Sequence, residues 1–168
     1  MRSFDAAVAA REELRFTALP PLSLYVHLPW CVRKCPYCDF NSYEAKWQLR
    51  DLAYVEAVLR DLDAELSFAH GRDIATVFIG CGTPSLFSGA AIAALLDGIR
   101  DRIALAPDVE ITLEANQGAV DAKHFGEYRR AGVTRLSIGV QSFRSAQLKA
   151  LGRVHSPEEA EYAVDVAR

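Results

Sequence analysis

Short apolar runs alternate with helical apolar stripes along the chain. Leu22 to Leu28 is a brief run of β-forming residues stopped by Pro29, and it predicts a first strand. From Trp47 to His70, the residues Leu49, Leu52, Val55, Leu59, Leu62 and Leu66 recur at helical spacing, with Gly71 just past the end. Ile74 to Ile79 predicts a second strand. Ser88 is placed to cap a helix from Gly89 to about Ala104, with Ile92, Leu95, Leu96, Ile99 and Ile103 on its inner side. Val109 to Glu114 reads as a third strand, Asp121 to Ala131 as a helix ended by Gly132, and Thr134 to Val140 as a fourth strand. Arg144 to Leu151 predicts one more short helix. Ser156-Pro157-Glu158-Glu159 opens another as a capping box, with Ser at the N-cap, Pro first and Glu third.

Strand–helix repeats with apolar strands predict an α/β fold, a parallel sheet covered by helices and joined by right-handed crossovers. About four such units are too few to close an eight-stranded barrel. The sequence stops inside a helix at Arg168, so a truncated chain is expected. Met1 to Pro21 is read as a lead-in, partly helical from Ala6 to Leu14, ahead of a core over residues 22–168.

Composition narrows the classes. The 168 residues are 51% apolar and 24% charged, which excludes global disorder. A formal net charge of −3 argues against a polybasic nucleic-acid binder. The apolar stretch near Ala90 to Leu96 is broken by Asp97 and Arg100, so no run reaches bilayer length. Asp5, Arg11, Glu12 and Glu13 interrupt the first residues, which therefore do not read as a signal peptide. A cytoplasmic protein is the default expectation, and its thiols would be reduced.

Cys31, Cys35 and Cys38 form a C-x3-C-x2-C loop directly after the first strand, and Cys81 lies far along the chain. A short loop lets three sulfurs converge on one centre. Three is one fewer than a closed zinc site or a fully cysteine-ligated cluster requires. Either a distant residue completes the set, or one metal position stays open for a ligand. Zinc with His27, Asp39 or Cys81 as fourth ligand, a disulfide, and inert buried thiols are the plainer alternatives, and an iron–sulfur cluster with one open iron is preferred over them.

Ligands of parallel α/β folds bind where strands end. The first strand runs into the cysteine loop, and the second into Gly80-Cys81-Gly82-Thr83-Pro84-Ser85. The third ends at Glu114-Ala115-Asn116 and the fourth at Gly139-Val140-Gln141-Ser142. Taken singly each has an ordinary explanation: a tight turn, a solvated carboxylate, an amide finishing a sheet edge. Tyr25 and His27 share one strand face by period two, and such a histidine is more often a satisfied core residue than a contact near a cluster. Arg129, Arg130 and Arg135 read as solvated charge near a helix end. The common edge of all four clusters is the stronger signal.

Tyr25-Val26-His27-Leu28-Pro29-Trp30-Cys31 through Cys38-Asp39-Phe40-Asn41-Ser42 resembles the radical S-adenosylmethionine superfamily. More narrowly, it is similar to the HemW-type proteins related to oxygen-independent coproporphyrinogen III oxidases. The segments 78–86, 110–116, 135–143 and 151–156 match in the same order, so the resemblance covers about Leu19 to Arg168. It implies part of a TIM-type (βα) barrel of the radical S-adenosylmethionine kind. It implies a 4Fe-4S cluster on Cys31, Cys35 and Cys38, its fourth iron chelated by S-adenosylmethionine. It places Tyr25, Tyr37, Cys81, Gly82, Thr83, Glu114, Gln141 and Arg153 at positions that contact that cofactor. Haem or a porphyrin, a flavodoxin-type electron donor and a haem acceptor protein are the implied partners. The branch is regarded as haem chaperones; coproporphyrinogen oxidation is the enzymatic alternative. Phe40 stands where the oxidase branch tends to carry a further Cys, which favours the chaperone reading.

The sequence departs from this pattern in three places. Cys81 replaces the middle glycine of Gly-Gly-Gly-Thr-Pro, where a Cβ is expected to cost about 1–2 kcal/mol if φ is positive and to crowd the cofactor. Gln117 stands where Pro is usual. The family's His-Asn-x-x-Tyr-Trp haem-associated motif is absent from this sequence.

Overall fold

The computed structural model describes residues 18–46, 49–116 and 124–168. In chain order it contains β1 (Leu22–Leu28), β2 (Trp30–Cys31), β3 (Tyr43–Glu44), α1 (Asp51–Glu65), β4 (Ile74–Cys81), α2 (Gly89–Arg100) and β5 (Leu105–Ala115). There follow α3 (Phe125–Ala131), β6 (Arg135–Ile138), α4 (Ser145–Ala150) and α5 (Pro157–Ala167). Four strands form one parallel sheet in the order β1-β4-β5-β6, and β2 and β3 form a separate parallel pair.

The sheet order follows the chain, so each crossover adds the next strand on the same side. Right-handed crossovers then place successive helices on one face. That face alternates with period two: Val26 and Leu28, Val77 and Ile79, Ile111 and Leu113 all point into the core. Val55 of α1, Leu95, Leu96 and Ile99 of α2, and Phe125 and Tyr128 of α3 cover it. The opposite face carries polar and aromatic side chains. Thr76 Oγ1 donates to Ser23 Oγ at 2.8 Å, Arg135 Nη1 donates to Glu110 Oε1 at 3.4 Å, and the Tyr25 and Phe78 rings stack with centroids 6.3 Å apart. The expectation of apolar strands is corrected here. Only one face is buried under helices, and the other is the inner wall of a partial barrel.

Element ends differ from the pattern for local reasons. The predicted helix start at Trp47 lies outside the described residues. Leu49 and Arg50 are not helical, and α1 begins at Asp51. Asp51 Oδ2 accepts hydrogen bonds from Ser88 N (3.1 Å) and Ser88 Oγ (2.7 Å), while Ser88 Oγ accepts from Ala91 N (3.2 Å). One carboxylate thus ties the start of α1 to the cap of α2. Burial pushes the Asp51 carboxyl up, but the Ser88 and backbone hydrogen bonds outweigh it and hold it below the usual range. After Glu65 the chain tightens into a 3-10 turn, Leu66–Ala69, and His70 itself takes the left-handed conformation (φ 52°) ahead of Gly71.

α2 stops at Arg100 rather than near Ala104. The Ala104 carbonyl accepts from Ile74 N at 2.9 Å, and β5 is already under way at Leu105. β5 is longer than predicted because a register irregularity opposite Ile74 and Thr76 absorbs the segment containing Pro107. β6 is shorter: Val140 N donates to Ile138 O and Ser142 N to Val140 O, which turns the chain off the sheet. α3 begins at Phe125, the predicted start at Asp121 lying outside the described residues, and Gly132 ends it at φ 114°. The capping box at Ser156 and Glu159 forms in both directions. The helical segment expected from Ala6 to Leu14, and Gln117, lie outside the described residues. Among the described residues, no helix is long and apolar enough to cross a membrane.

Candidate cluster and cofactor site

The exits of β4, β5 and β6 and the cysteine segment that follows β1 open on one cavity of about 360 Å³. Cys31 lines it from the end of β2 and Cys35 and Cys38 from the loop that follows, Cys81, Gly82 and Thr83 from the end of β4, and Glu114 and Asn116 from the end of β5 and just beyond. Gln141 comes from the segment after β6, and Arg153 from beyond α4.

The cysteine loop is held chiefly by hydrogen bonds to backbone carbonyls. Tyr43 N donates to Pro29 O and Ala45 N to Cys31 O, both at 2.8 Å, so β2 and β3 close the loop at its base. Lys34 Nζ donates to the carbonyls of Phe40 (2.9 Å) and Ser42 (3.2 Å), and Cys38 N donates to Cys35 O at 3.0 Å. All four cysteines are free thiols, Cys31 buried and the others half-buried. Among the described residues, no three His, Cys, Asp or Glu side chains converge where a single ion would sit. All three thiols of the cysteine segment line the one cavity. Three soft sulfur donors suit an iron–sulfur cluster and fall one short of its full ligand set.

The β4 exit is locked to this loop. Gly82 N donates to Leu28 O (2.9 Å) and Thr83 N to Trp30 O (2.7 Å). Glu114 Oε2 accepts from Cys81 N at 3.0 Å, bridging the β4 and β5 ends. Arg153 reaches across the opening: its Nη1 donates to Cys35 Sγ (3.4 Å), and its Nη2 to Gly139 O (2.7 Å) and Asn116 Oδ1 (3.3 Å). Tyr37 sits at the rim. Burial pushes its hydroxyl up, the Cys35 thiol adds to that, and Arg153 opposes it.

One expected residue stands beside the cavity wall rather than in it. Tyr25 does not line the cavity itself; its OH donates to His27 Nδ1 at 3.2 Å and lies beside the Cys81 thiol that does. His27 Nε2 in turn reaches Asn41 O at 3.1 Å, so the histidine is satisfied and braces the chain just after Cys38. Asn116 is the residue that motif reading left out of the cofactor set. Its Nδ2 donates to Thr83 Oγ1 (3.1 Å) and its backbone N to Ser85 Oγ (3.2 Å), so it joins the β4 and β5 exits to Arg153. Its place in Glu114-Ala115-Asn116 was the available signal.

Cys81 has φ 98°, the positive value its replacement of glycine predicts to be costly. Burial pushes its thiol up, and the nearby Cys31, Cys38 and Glu114 add to the shift, partly offset by the Tyr25 hydroxyl. Cys81→Gly relieves the strain at some cost in chain entropy, so a net gain in stability of up to about 1 kcal/mol is expected. The midpoint of denaturant unfolding of the metal-free chain reads it, and an unchanged or lower midpoint contradicts the strain.

Parallel strands, helices on one face and a three-cysteine loop at the strand exits define a radical S-adenosylmethionine protein. The chain belongs to the Radical SAM superfamily, whose family model matches residues 25–168. It is 58% identical over 149 residues to the "Heme chaperone HemW" of Escherichia coli, covering 89% of this chain and 39% of that protein. The protein of the same name from Mycobacterium tuberculosis H37Rv is 40% identical over 156 residues (88% and 38%). The chain thus spans about two-fifths of the length of these relatives. Among solved structures it matches coproporphyrinogen III oxidase (HemN) from Escherichia coli with a TM-score of 0.79 at 28% identity, over 88% of this chain and 34% of that one. A match to the radical enzyme OxsB, at TM-score 0.59 and 18% identity, shows the fold alone.

Proposed function

We propose that the segment 22–168 binds a 4Fe-4S cluster through Cys31, Cys35 and Cys38 and S-adenosylmethionine at the iron they leave open, as the cofactor-binding part of a HemW-type haem chaperone. The observation that carries this is the single cavity into which the three thiols and the exits of β4, β5 and β6 all open. The likeness to two proteins named as haem chaperones supports the branch. When bound, the cluster and the sulfonium nucleotide supply one-electron chemistry.

The chain's own residues bind, orient and shield. Arg153 places a fixed positive charge beside Cys35 and holds Asn116 and the Gly139 carbonyl in position. Glu114 presents a carboxylate at a strand end, where it is suited to accept from ribose hydroxyls while it anchors the Cys81 amide. Thr83, Gln141 and Tyr37 supply further polar contacts, and Phe40 closes one wall with apolar surface. A haem or porphyrin ligand, a flavodoxin-type reductant, a haem acceptor and a cytoplasmic site of action complete the reading.

Glu114→Ala is expected to weaken S-adenosylmethionine binding about tenfold or more, the order of one charged hydrogen bond, with iron content unchanged. Spectral titration of the reconstituted protein measures both. Unchanged affinity removes Glu114 from the cofactor site. The likeness to coproporphyrinogen III oxidase keeps that reaction as the second reading. An anaerobic assay for protoporphyrinogen formation separates the two.

A further inference from the structure

We propose that Cys81 is an exchangeable fourth ligand of the cluster, occupying the iron that Cys31, Cys35 and Cys38 leave open until S-adenosylmethionine displaces it. The inference rests on the cluster reading above and adds a resting state that closes the same site.

Four free thiols line one cavity, not three. The position of the fourth is set by backbone rather than by chance of rotamer. Cys81 pairs with Leu28 across the β1–β4 register, and the next two amides are bonded to Leu28 O and Trp30 O. Cys81 is therefore pinned against the strand that delivers Cys31. Its Sγ lies 3.5 Å from Asn41 O, in the segment following Cys38, so the thiol is turned toward the cysteine loop. A thiol–carbonyl hydrogen bond is weak and is given up readily.

The other donors around the cavity are less suited to an open iron. Glu114 Oε2 is engaged by the Cys81 amide, Arg153 is cationic, and Asn116 is held by Thr83 and Arg153. Thiolate is the soft ligand that iron–sulfur clusters select, and four thiolates are their usual complete set. Ligation releases the S–H proton to solvent, and displacement by the amino and carboxylate groups of the nucleotide returns one to sulfur. No electron changes hands. Glycine at this position leaves the iron open to solvent; cysteine caps it. The expected consequence is a cluster that resists oxidative loss of its fourth iron when the nucleotide is absent.

The test compares the 168-residue chain with Cys81→Gly, a substitution the φ of 98° favours, after anaerobic reconstitution of both. Ferricyanide is added without S-adenosylmethionine, and the three-iron cluster is followed by electron paramagnetic resonance. Loss of one iron is expected in Cys81→Gly and not in the parent chain. In parallel, iodoacetamide labelling read by mass spectrometry is expected to modify Cys81 about tenfold or more slowly in the loaded parent chain than in the iron-free one. Equal formation of the three-iron species in both proteins, or equal labelling of Cys81 with and without iron, overturns the proposal. If both proteins take up iron and bind S-adenosylmethionine yet behave alike, only the role of Cys81 falls. If neither takes up iron, the cluster reading falls with it.

Discussion

Cys35→Ala is expected to reduce bound iron from about four atoms per chain to background after anaerobic reconstitution, because two thiolates do not hold a cubane cluster. The metal-free fold should be nearly unaffected. Cys35 is half-buried, whereas Cys31 is 8% exposed and sits in β2, where truncation would also disturb packing. The Cys35 carbonyl still accepts from Cys38 N after truncation, so the loop keeps its turn. The main structural loss is the weak contact from Arg153 Nη1 to the sulfur. Iron analysis and visible absorption read the first effect, and circular dichroism with thermal unfolding reads the second. Full iron content in the variant would remove the cysteine loop from the site.

Gly82→Ala is expected to have the largest structural effect. A Cβ at Gly82 would stand 2.6 Å from both Pro29 C and Trp30 O and 2.8 Å from Pro29 O. All three are backbone atoms, so no side chain can swing away. The β4 exit would have to separate from the cysteine loop, straining the Gly82 N–Leu28 O and Thr83 N–Trp30 O hydrogen bonds. Overpacking plus impaired backbone bonds puts the cost at about 2–4 kcal/mol. A lower denaturant midpoint together with poor iron uptake is the expected pair of readings. Gly126→Ala in α3 is the matched control, because the nearest atom its Cβ would meet is Arg130 Nη1 at 3.5 Å. Equal midpoints for the two variants would show that the close approach at Gly82 is not needed.

Gly82 shows why some of the site was legible and some was not. A glycine in a turn after a strand is an ordinary punctuation mark in sequence. That it touches Pro29 and Trp30 depends on pairing between segments some fifty residues apart. Asn116 is similar: its neighbours Thr83, Ser85 and Arg153 come from separate strand exits, and no local pattern assembles them. Tyr25 is a mixed case: its motif position places it with the cofactor contacts, while strand register decides that its hydroxyl bonds His27 and stands beside the Cys81 thiol, with its ring on Phe78.

Local chemistry settled what a few neighbouring residues decide among themselves. The bounds of β1, the Ser156–Glu159 capping box, the stop at Gly132 and the spacing of the cysteine loop are each contained within one short segment, so their physics is written in consecutive letters. Tertiary structure decided the rest: which sheet face was covered, where α2 yielded to β5, and that Cys81 adopts a left-handed backbone among three other thiols. These depend on strand register and on the direction of successive crossovers, which bring distant segments to one edge and leave no mark on any segment alone.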